Sequence, residues 1–438
     1  MMLDQFMTKA LFRNVIAISL GAACWAAKGQ DSPPLSLQEA HQMALRNHPL
    51  IKVADLRALA AQQITRQVRS GFFPALSGNV VAVGTAGANT RLAAIGGLNN
   101  PSIFDRNAEG LVLTQLITDF GRTANLTGSA KLRARAEEDN AQATREQILI
   151  GVDAAFYAAL QAQAVARVGE QTVATRQLFL EQVSALATNQ LRSELDVSFA
   201  RVNLEEGKLL LSKARSDLQA AFSQLSTLMG QREARNYHLA EEPLPPELST
   251  NVSQLVEQAL GSRPELLALR HNQEATLKFS KAEKALRYPA IAAVGSAGVL
   301  PIHDSALPDN YAAAGLTLNL PLFAGGLYFA RQKEAELRAQ AAEETLRDEE
   351  NNVIRDVRIA SLNAQNAFER LAITRQLLEN ASRSFDLAQA RYNNNVSSIV
   401  ELNQAQLNKI SAEIAVAETK YEYLLQRSAL NYQTGALR

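Results

Sequence analysis

The chain has 438 residues, 44 of them basic and 44 acidic, so its formal net charge is zero and no basic field points to nucleic acid. Hydrophobic residues make up 47% but aromatics only 6%, which suits closely approaching Ala-, Leu- and Val-rich helices better than a bulky globular core. Cys24 is the only cysteine, which excludes a disulfide framework and a cysteine-based metal site.

Residues 1–29 read as a signal peptide. Lys9 and Arg13 precede a short apolar run, residues 15–23, and small residues follow, so cleavage near Ala26 or Gly29 is expected. Cys24 is a candidate lipidation site. Bacterial sites of that kind usually carry Leu three residues earlier; here Gly21 stands there and Leu20 lies one residue too early, so a plain export signal is the preferred reading. No later run of about 18 consecutive apolar residues occurs, and no transmembrane helix is expected.

A first repeat spans residues 35–230. Ser36, with Glu39 three residues on, predicts a capped helix start, and His48-Pro49 a break. From Pro74 to Thr118 the texture changes to Gly, Asn and β-branched residues. Residues 75–84 and 110–118 read as strands, with a Gly/Asn-rich loop at 96–101 between them, giving a β-hairpin over 75–118. A helical hairpin follows over 121–230, with a polar turn near Asn189. Residues 231–251, holding Pro243, Pro245 and Pro246, read as a linker.

The plan then restarts over 252–435: a helix with a Pro264 break, strands at 290–300 and 311–323 in a β-hairpin spanning 290–323, and a helical hairpin over 326–435. That last stretch has neither proline nor glycine between Gly326 and Gly435, and its only interruption is the polar run at 393–398. The two halves match at an offset of 215 before the strands (Pro49 and Pro264, Pro74 and Pro289) and of 205 after them (Leu111 and Leu316, Gly121 and Gly326, Asn189 and Asn394, Gly230 and Gly435). This is an internal duplication.

Geometry narrows the fold. A long arm of 66 residues, 122–187, spans ~100 Å. The return arm, 194–229, and the first helix, 36–71, each span ~54 Å and together match it if stacked end to end. Leu407, Ile410, Ile414, Ala417, Tyr421 and Leu424, and Val353, Val357, Ala360, Ala364, Ala367 and Leu371, alternate steps of three and four, the heptad pattern of a coiled coil. All four strands join the same ends of the helices. Four strands cannot close a barrel, and an open sheet with apolar edges invites aggregation. Strands of this length in an exported chain fit a membrane barrel assembled from several copies, three being favoured because only a wide barrel feeds a helical tunnel.

The whole pattern resembles the TolC family of outer-membrane efflux proteins, over nearly all of the mature chain. The residues that carry it are the duplicated helix–Pro plan, the strand-to-helix junctions 116–122 (Leu-Ile-Thr-Asp-Phe-Gly-Arg) and 320–326 (Leu-Pro-Leu-Phe-Ala-Gly-Gly), and the tips with Leu195-Asp196-Val197 and Val400-Glu401-Leu402. The first junction keeps the family's Asp119, Gly121 and Arg122; the second has Ala324 in place of the acid. The resemblance implies a mainly α fold with a β-barrel part: a homotrimer whose helical hairpins form an α-barrel periplasmic tunnel beneath a twelve-stranded barrel in the Gram-negative outer membrane. It implies a passive exit duct, bounded by outer-membrane lipid, that docks a periplasmic adaptor (membrane fusion) protein and an inner-membrane pump for efflux or type I secretion.

On the same basis the tips form the aperture and the adaptor-docking surface: Asn189, Gln190, Leu191 and Ser193 in the first copy, Asn394, Asn395, Val396, Ser397 and Ser398 in the second. Asp196 and Glu401 match aperture carboxylates, and Arg192, four residues before Asp196, is the nearby base. An ordinary exposed i,i+4 pair is the plainer reading of Arg192 and Asp196. The family's tips commonly carry Gly where this chain has Gln190 and Asn395, so the first turn is expected to differ in shape.

Enzyme chemistry finds no foothold. His41, His48, His238, His271 and His303 share no metal-ligand spacing, and neither a nucleophile elbow nor a phosphate loop is present, so no cofactor is expected. The remaining alternative to a duct is a non-conducting trimeric coiled-coil scaffold of the envelope.

Overall fold

The computed structural model describes residues 34–83, 106–246, 251–303, 305 and 308–437. The expected signal segment, Cys24 and the loop at 96–101 lie outside them. Helix α1 (Leu37–Asn47) starts with the expected capping box: the Ser36 N–H donates to Glu39 Oε2 at 2.9 Å and the Glu39 N–H donates to Ser36 Oγ at 3.2 Å. It stops at His48, whose extended backbone is what a residue before proline adopts, and α2 (Pro49–Arg69) begins with Pro49 in the first turn.

Strands β1 (Ala75–Val83) and β2 (Arg106–Thr118) lead into α3 (Arg122–Thr188) and α4 (Glu194–Leu228). The second half repeats the order as α5 (Val252–Ser262), α6 (Pro264–Ala285), β3 (Ala290–His303), β4 (Asn310–Asn319), α7 (Leu327–Asn393) and α8 (Ile399–Gln433). Both long helices have 67 residues, ~100 Å.

Each strand-to-helix corner turns on a left-handed glycine, Gly121 (φ 90) and Gly326 (φ 83). At the first corner Asp119 Oδ2 accepts from the Thr123 N–H at 2.7 Å, and Oδ1 accepts from the Gly121 N–H at 3.2 Å. At the second, Ala324 cannot do this, and Gly325 (φ 60) stands where Phe120 (φ 52) sits in the first.

The sheet runs β1-β2-β3-β4, all antiparallel, with β1 and β4 as free edges. The register places Leu76, Leu111, Leu113, Ile291, Leu316 and Leu318 on one face and Ser77, Asn79, Thr114, Ser296 and Thr317 on the other. Leu76, Val80 and Leu316 on the apolar face are 65%, 73% and 73% exposed, an apolar surface left bare in the isolated sheet. Glu109 breaks that face near the loop end of the strands. Three strand limits differ from expectation by more than one residue, and the first is that of β2, which begins at Arg106 and not at 110. β3 runs past Pro301, which falls in the β-bulge opposite 107–109, a position that needs no ladder N–H. β4 ends at Asn319, not Phe323, because Pro321 has no N–H to extend the ladder.

The helices form two rows about α3. On the strand side the order is α2-α3-α6-α7; on the far side it is α4-α3-α8-α7. In both rows, as in the sheet, one edge belongs to the first repeat and the other to the second. The expected end-to-end stack needs correction. The break at His48 turns α1 out of line, and Ala40 and Ala44 join Val152 and Phe156 of α3 and Leu239 of the linker in the main core. The return helix α4 ends beside the α1–α2 break, where Gly230 (φ 73) lies against Asn47, the last residue of α1; a Cβ there would sit 2.7 Å from the Asn47 carbonyl carbon and oxygen.

The heptad reading holds for α7, where all six positions from Val353 to Leu371 are at most 7% exposed. It holds only in part for α8. Leu407 is 42% exposed, and the buried stripe runs through Leu402, Ala405, Ala412 and Thr419, because α8 packs between α7 and α3 and not on one partner. By length and composition α3 could cross a membrane, but half of its apolar window is buried, and that stretch is the hub of the core.

Asp153, 1% exposed on α3, is held by His41 of α1 and by the Ser428 hydroxyl of α8. Ion pairs then cross the strand-side row. Asp55 of α2 pairs with Arg145 of α3, and Arg270 of α6 pairs with Glu350 of α7 at 3.0 Å. These are duplicated positions, 55 with 270 and 145 with 350, carrying opposite signs in the two repeats.

Candidate functional site

The tips of the two helical hairpins are built alike. At the first, Gln190 is left-handed (φ 58) and the Leu191 N–H donates to the Leu186 carbonyl at 2.9 Å; at the second, Asn395 is left-handed (φ 62) and the Val396 N–H donates to the Arg391 carbonyl at 2.8 Å. Both are helix-terminating turns in which a bond from five residues on closes the last turn. Asn189 and Asn394 each donate a side-chain N–H to the carbonyl four residues back, at 2.8 Å. The expectation that Gln190 would reshape the first turn is thus overturned: the turn's own hydrogen bonds impose the same backbone on Gln and Asn.

The left-handed conformation costs a residue with a side chain about 1 kcal/mol. Gln190→Gly should therefore stabilise the tip by roughly that amount, read as slower proteolysis there, whereas Asn395→Gly should gain less because Asn tolerates this region better.

Ser193 and Ser398 cap the return helices. Ser193 Oγ accepts from the Asp196 N–H at 3.2 Å, and the Ser193 N–H donates back to Asp196 Oδ2 at 3.3 Å, a complete capping box. Ser398 Oγ accepts from the Glu401 N–H at 3.3 Å, but no return bond is made, and Glu401 lies 3.6 Å from Arg391. The two carboxylates therefore differ: Asp196 is engaged by its own helix start, while Glu401 is half-exposed beside a base.

Arg192 does not pair with Asp196 in the i,i+4 manner. It crosses to the other hairpin, donating to the Tyr392 carbonyl at 2.7 Å with its guanidinium 4.1 Å from the centre of the Tyr392 ring. Tyr392 is 3% exposed and packs on Phe179 of α3 with ring centres 5.8 Å apart. Burial, and then the Asp196 charge, push the Tyr392 hydroxyl above the usual phenol range, with Arg192 opposing. A satellite core of Ala388, Tyr392, Ile399, Leu402 and Ala405 packs beneath the second tip. Sequence reasoning missed Tyr392; an aromatic one turn before the second tip was its only signal, with nothing local to name Arg192 as its partner.

Four apolar side chains project from the tips in duplicated pairs, Leu191 (67% exposed) with Val396 (66%) and Leu195 (63%) with Val400 (57%). The structure so brings Arg192 to Tyr392 and sets Asp196 nearby, leaves Glu401 with Arg391, and leaves aliphatic groups exposed at both tips. Elsewhere His41 contacts Asp153, His271 contacts Asp139 and His303 contacts Asp309, while His48 caps α2.

A family model described as outer membrane efflux protein matches residues 40–231 and 255–436. The chain is 26% identical to outer membrane protein OprJ of Pseudomonas aeruginosa over 385 residues, covering 85% of this chain and 78% of that protein. It is 22% identical to outer membrane protein TolC of Salmonella enteritidis over 454 residues, covering 98% and 87%. The crystal structure of a membrane protein from Pseudomonas aeruginosa superposes with a TM-score of 0.78 at 24% identity, covering 91% of this chain and 93% of that one. With two matched stretches falling on the two copies of the helix–strand–helix plan, the chain belongs to the outer membrane efflux protein family.

Proposed function

We propose that three copies of this chain form an outer-membrane exit duct for an efflux or secretion system, with residues 1–29 removed as an export signal. The observation that carries the reading is the pair of free edges. Sheet and helical rows all end in first-repeat elements on one side and in β4 or α7 on the other, so copies join head to tail. Closure by three copies makes a barrel of twelve strands, with small polar residues lining the inside and leucines facing lipid. The 67-residue helices continue it by ~100 Å into the periplasm.

The tips are then the inner mouth. Their exposed aliphatic residues suit docking of a periplasmic adaptor, and the adaptor joins the duct to an inner-membrane pump that supplies the energy. Arg192, Tyr392 and Asp196 hold the mouth closed, and Glu401 places negative charge beside it. The family consists of channel components and not of catalysts.

Purified protein should run as a trimer on semi-native gels and conduct in planar bilayers. A trimer without conductance favours the envelope scaffold; a monomer in mild detergent that never conducts overturns the duct.

A further inference from the structure

In the described strands Tyr311 is the only Phe, Tyr or Trp, and it does not sit where a membrane barrel keeps such residues. Barrels carry their aromatic girdles on the lipid side. Tyr311 belongs to the row Asn79, Gly110, Gly298, Tyr311, on the small polar face of the sheet and not on the leucine face. The next row toward the helices on that face holds Ser77, Val112, Ser296 and Ala313, with nothing larger than valine.

The two residues beside Tyr311 along its row are both glycine, and the ring lies down on them. A Cβ on Gly298, its direct cross-strand partner, would sit 2.7 Å from the Tyr311 Cζ and hydroxyl oxygen. A Cβ on Gly110, one strand further, would sit 3.1 Å from Cζ and overlap the hydroxyl. The side chain therefore runs along the wall from β4 across β3 to β2. It alone in β4 is partly covered; the other residues of the strand are exposed. Adjacent glycines leave bare backbone, and a ring laid over them buries apolar area that a ring standing off the wall would not.

We propose, on the barrel assembly put forward above, that Tyr311 sets the bore of the duct near its loop end, with Gly110 and Gly298 as the slot that holds the ring flat and the passage wide. In that assembly the small polar face lines the bore, and three copies place three such rings at one level. Lifted from the slot, they would be the largest side chains in a passage otherwise walled by residues no larger than valine in the row beneath. The limit they set is one of size and not of charge, because Asn, Gly and Tyr in this row carry none. A glycine pair under a tyrosine thus fixes how large a solute can leave.

The test uses Thr114→Cys in the full chain with Cys24→Ser; Thr114 is exposed on the same face, four residues nearer the helices than Gly110 and ~13 Å deeper. Intact cells are treated from outside with maleimides linked to polymers of graded size, and the largest that reacts marks the bore. Gly110→Ala should lift the ring, move that cut-off to a smaller polymer and slow the largest reagent that enters the parent by about tenfold, with the smallest unaffected. Adding Tyr311→Ala should restore the parent cut-off. Gly110→Ala also crowds the Ala297 carbonyl oxygen at 2.9 Å. If it gives no trimer, Tyr311→Trp, which leaves the backbone alone and is too wide for the slot, should lower the cut-off in its place. An unchanged cut-off in trimers of these variants, or one that Tyr311→Ala does not restore, would overturn the role of Tyr311 and leave the duct standing. Trimers of Thr114→Cys that no reagent enters would overturn the facing of the sheet as well, and monomers by native mass would overturn the assembly itself.

Discussion

Arg192→Ala should open the mouth. It removes the hydrogen bond to the Tyr392 carbonyl and the guanidinium from the Tyr392 ring, the charged contact that ties one hairpin tip to the other. A charged hydrogen bond with a cation–π contact, partly exposed, contributes about 1–3 kcal/mol. Every 1.4 kcal/mol is about tenfold in an equilibrium, so the closed-to-open ratio should fall by roughly one to two orders of magnitude. Single-channel recordings should show longer openings and higher conductance. Arg192→Lys should be intermediate, since an ammonium can sit over the ring but lacks the flat guanidinium. Recordings of Arg192→Ala that match the parent protein would remove Arg192 from the closing mechanism. Asp196→Ala with Glu401→Ala separates charge from closure: unchanged cation preference would leave Asp196 with its capping role alone.

The largest loss of stability is expected from Asp153→Ala. The carboxylate is almost fully buried and accepts from Ser428 on one side while meeting His41 on the other, so three helices share it. Its removal strands a histidine and a hydroxyl in the core and leaves a small cavity. Breaking a buried set of this kind costs about 3–5 kcal/mol. The trimer band should be lost at markedly lower temperature, and trypsin should cut near the linker, which loses the anchoring of α1. Asp153→Asn should be milder, because an amide can still accept from the Ser428 hydroxyl. Equal thermal resistance of Asp153→Ala and the parent would show that the cluster is incidental.

Much of this architecture is legible in the residues, for reasons that are local. Ser36 with Glu39, His48-Pro49 and the glycines at 121 and 326 each act through their own backbone, so sequence and structure agree on them. The repeat is legible because the 205-residue offset holds from the second strand to the end of the helical hairpin. What stays hidden depends on partners far apart in sequence. Arg192 has an acid four residues away, and only the fold shows that the helix start takes Asp196 while Arg192 reaches a tyrosine 200 residues on. The α1 segment reads as collinear with α2, since an extended residue at 48 announces a break without stating its direction. Leu407 fits a heptad, yet α8 has two neighbours, and a single stripe cannot describe both. Tip shape eludes the sequence because intrinsic preference yields there to the hydrogen bonds of the turn.

The reversed signs at Asp55–Arg145 and Arg270–Glu350 have a consequence for how the chain finds its fold. Two halves with the same pattern can exchange elements while they fold, α2 taking the place of α6 on α7, or α6 that of α2 on α3. The first exchange would set Asp55 against Glu350 and the second would set Arg270 against Arg145. Like charges half-withdrawn from water repel, so the swapped hairpins carry a penalty that the native ones do not. The duplication thus holds its own sorting label, written in the polarity of one ion pair per half.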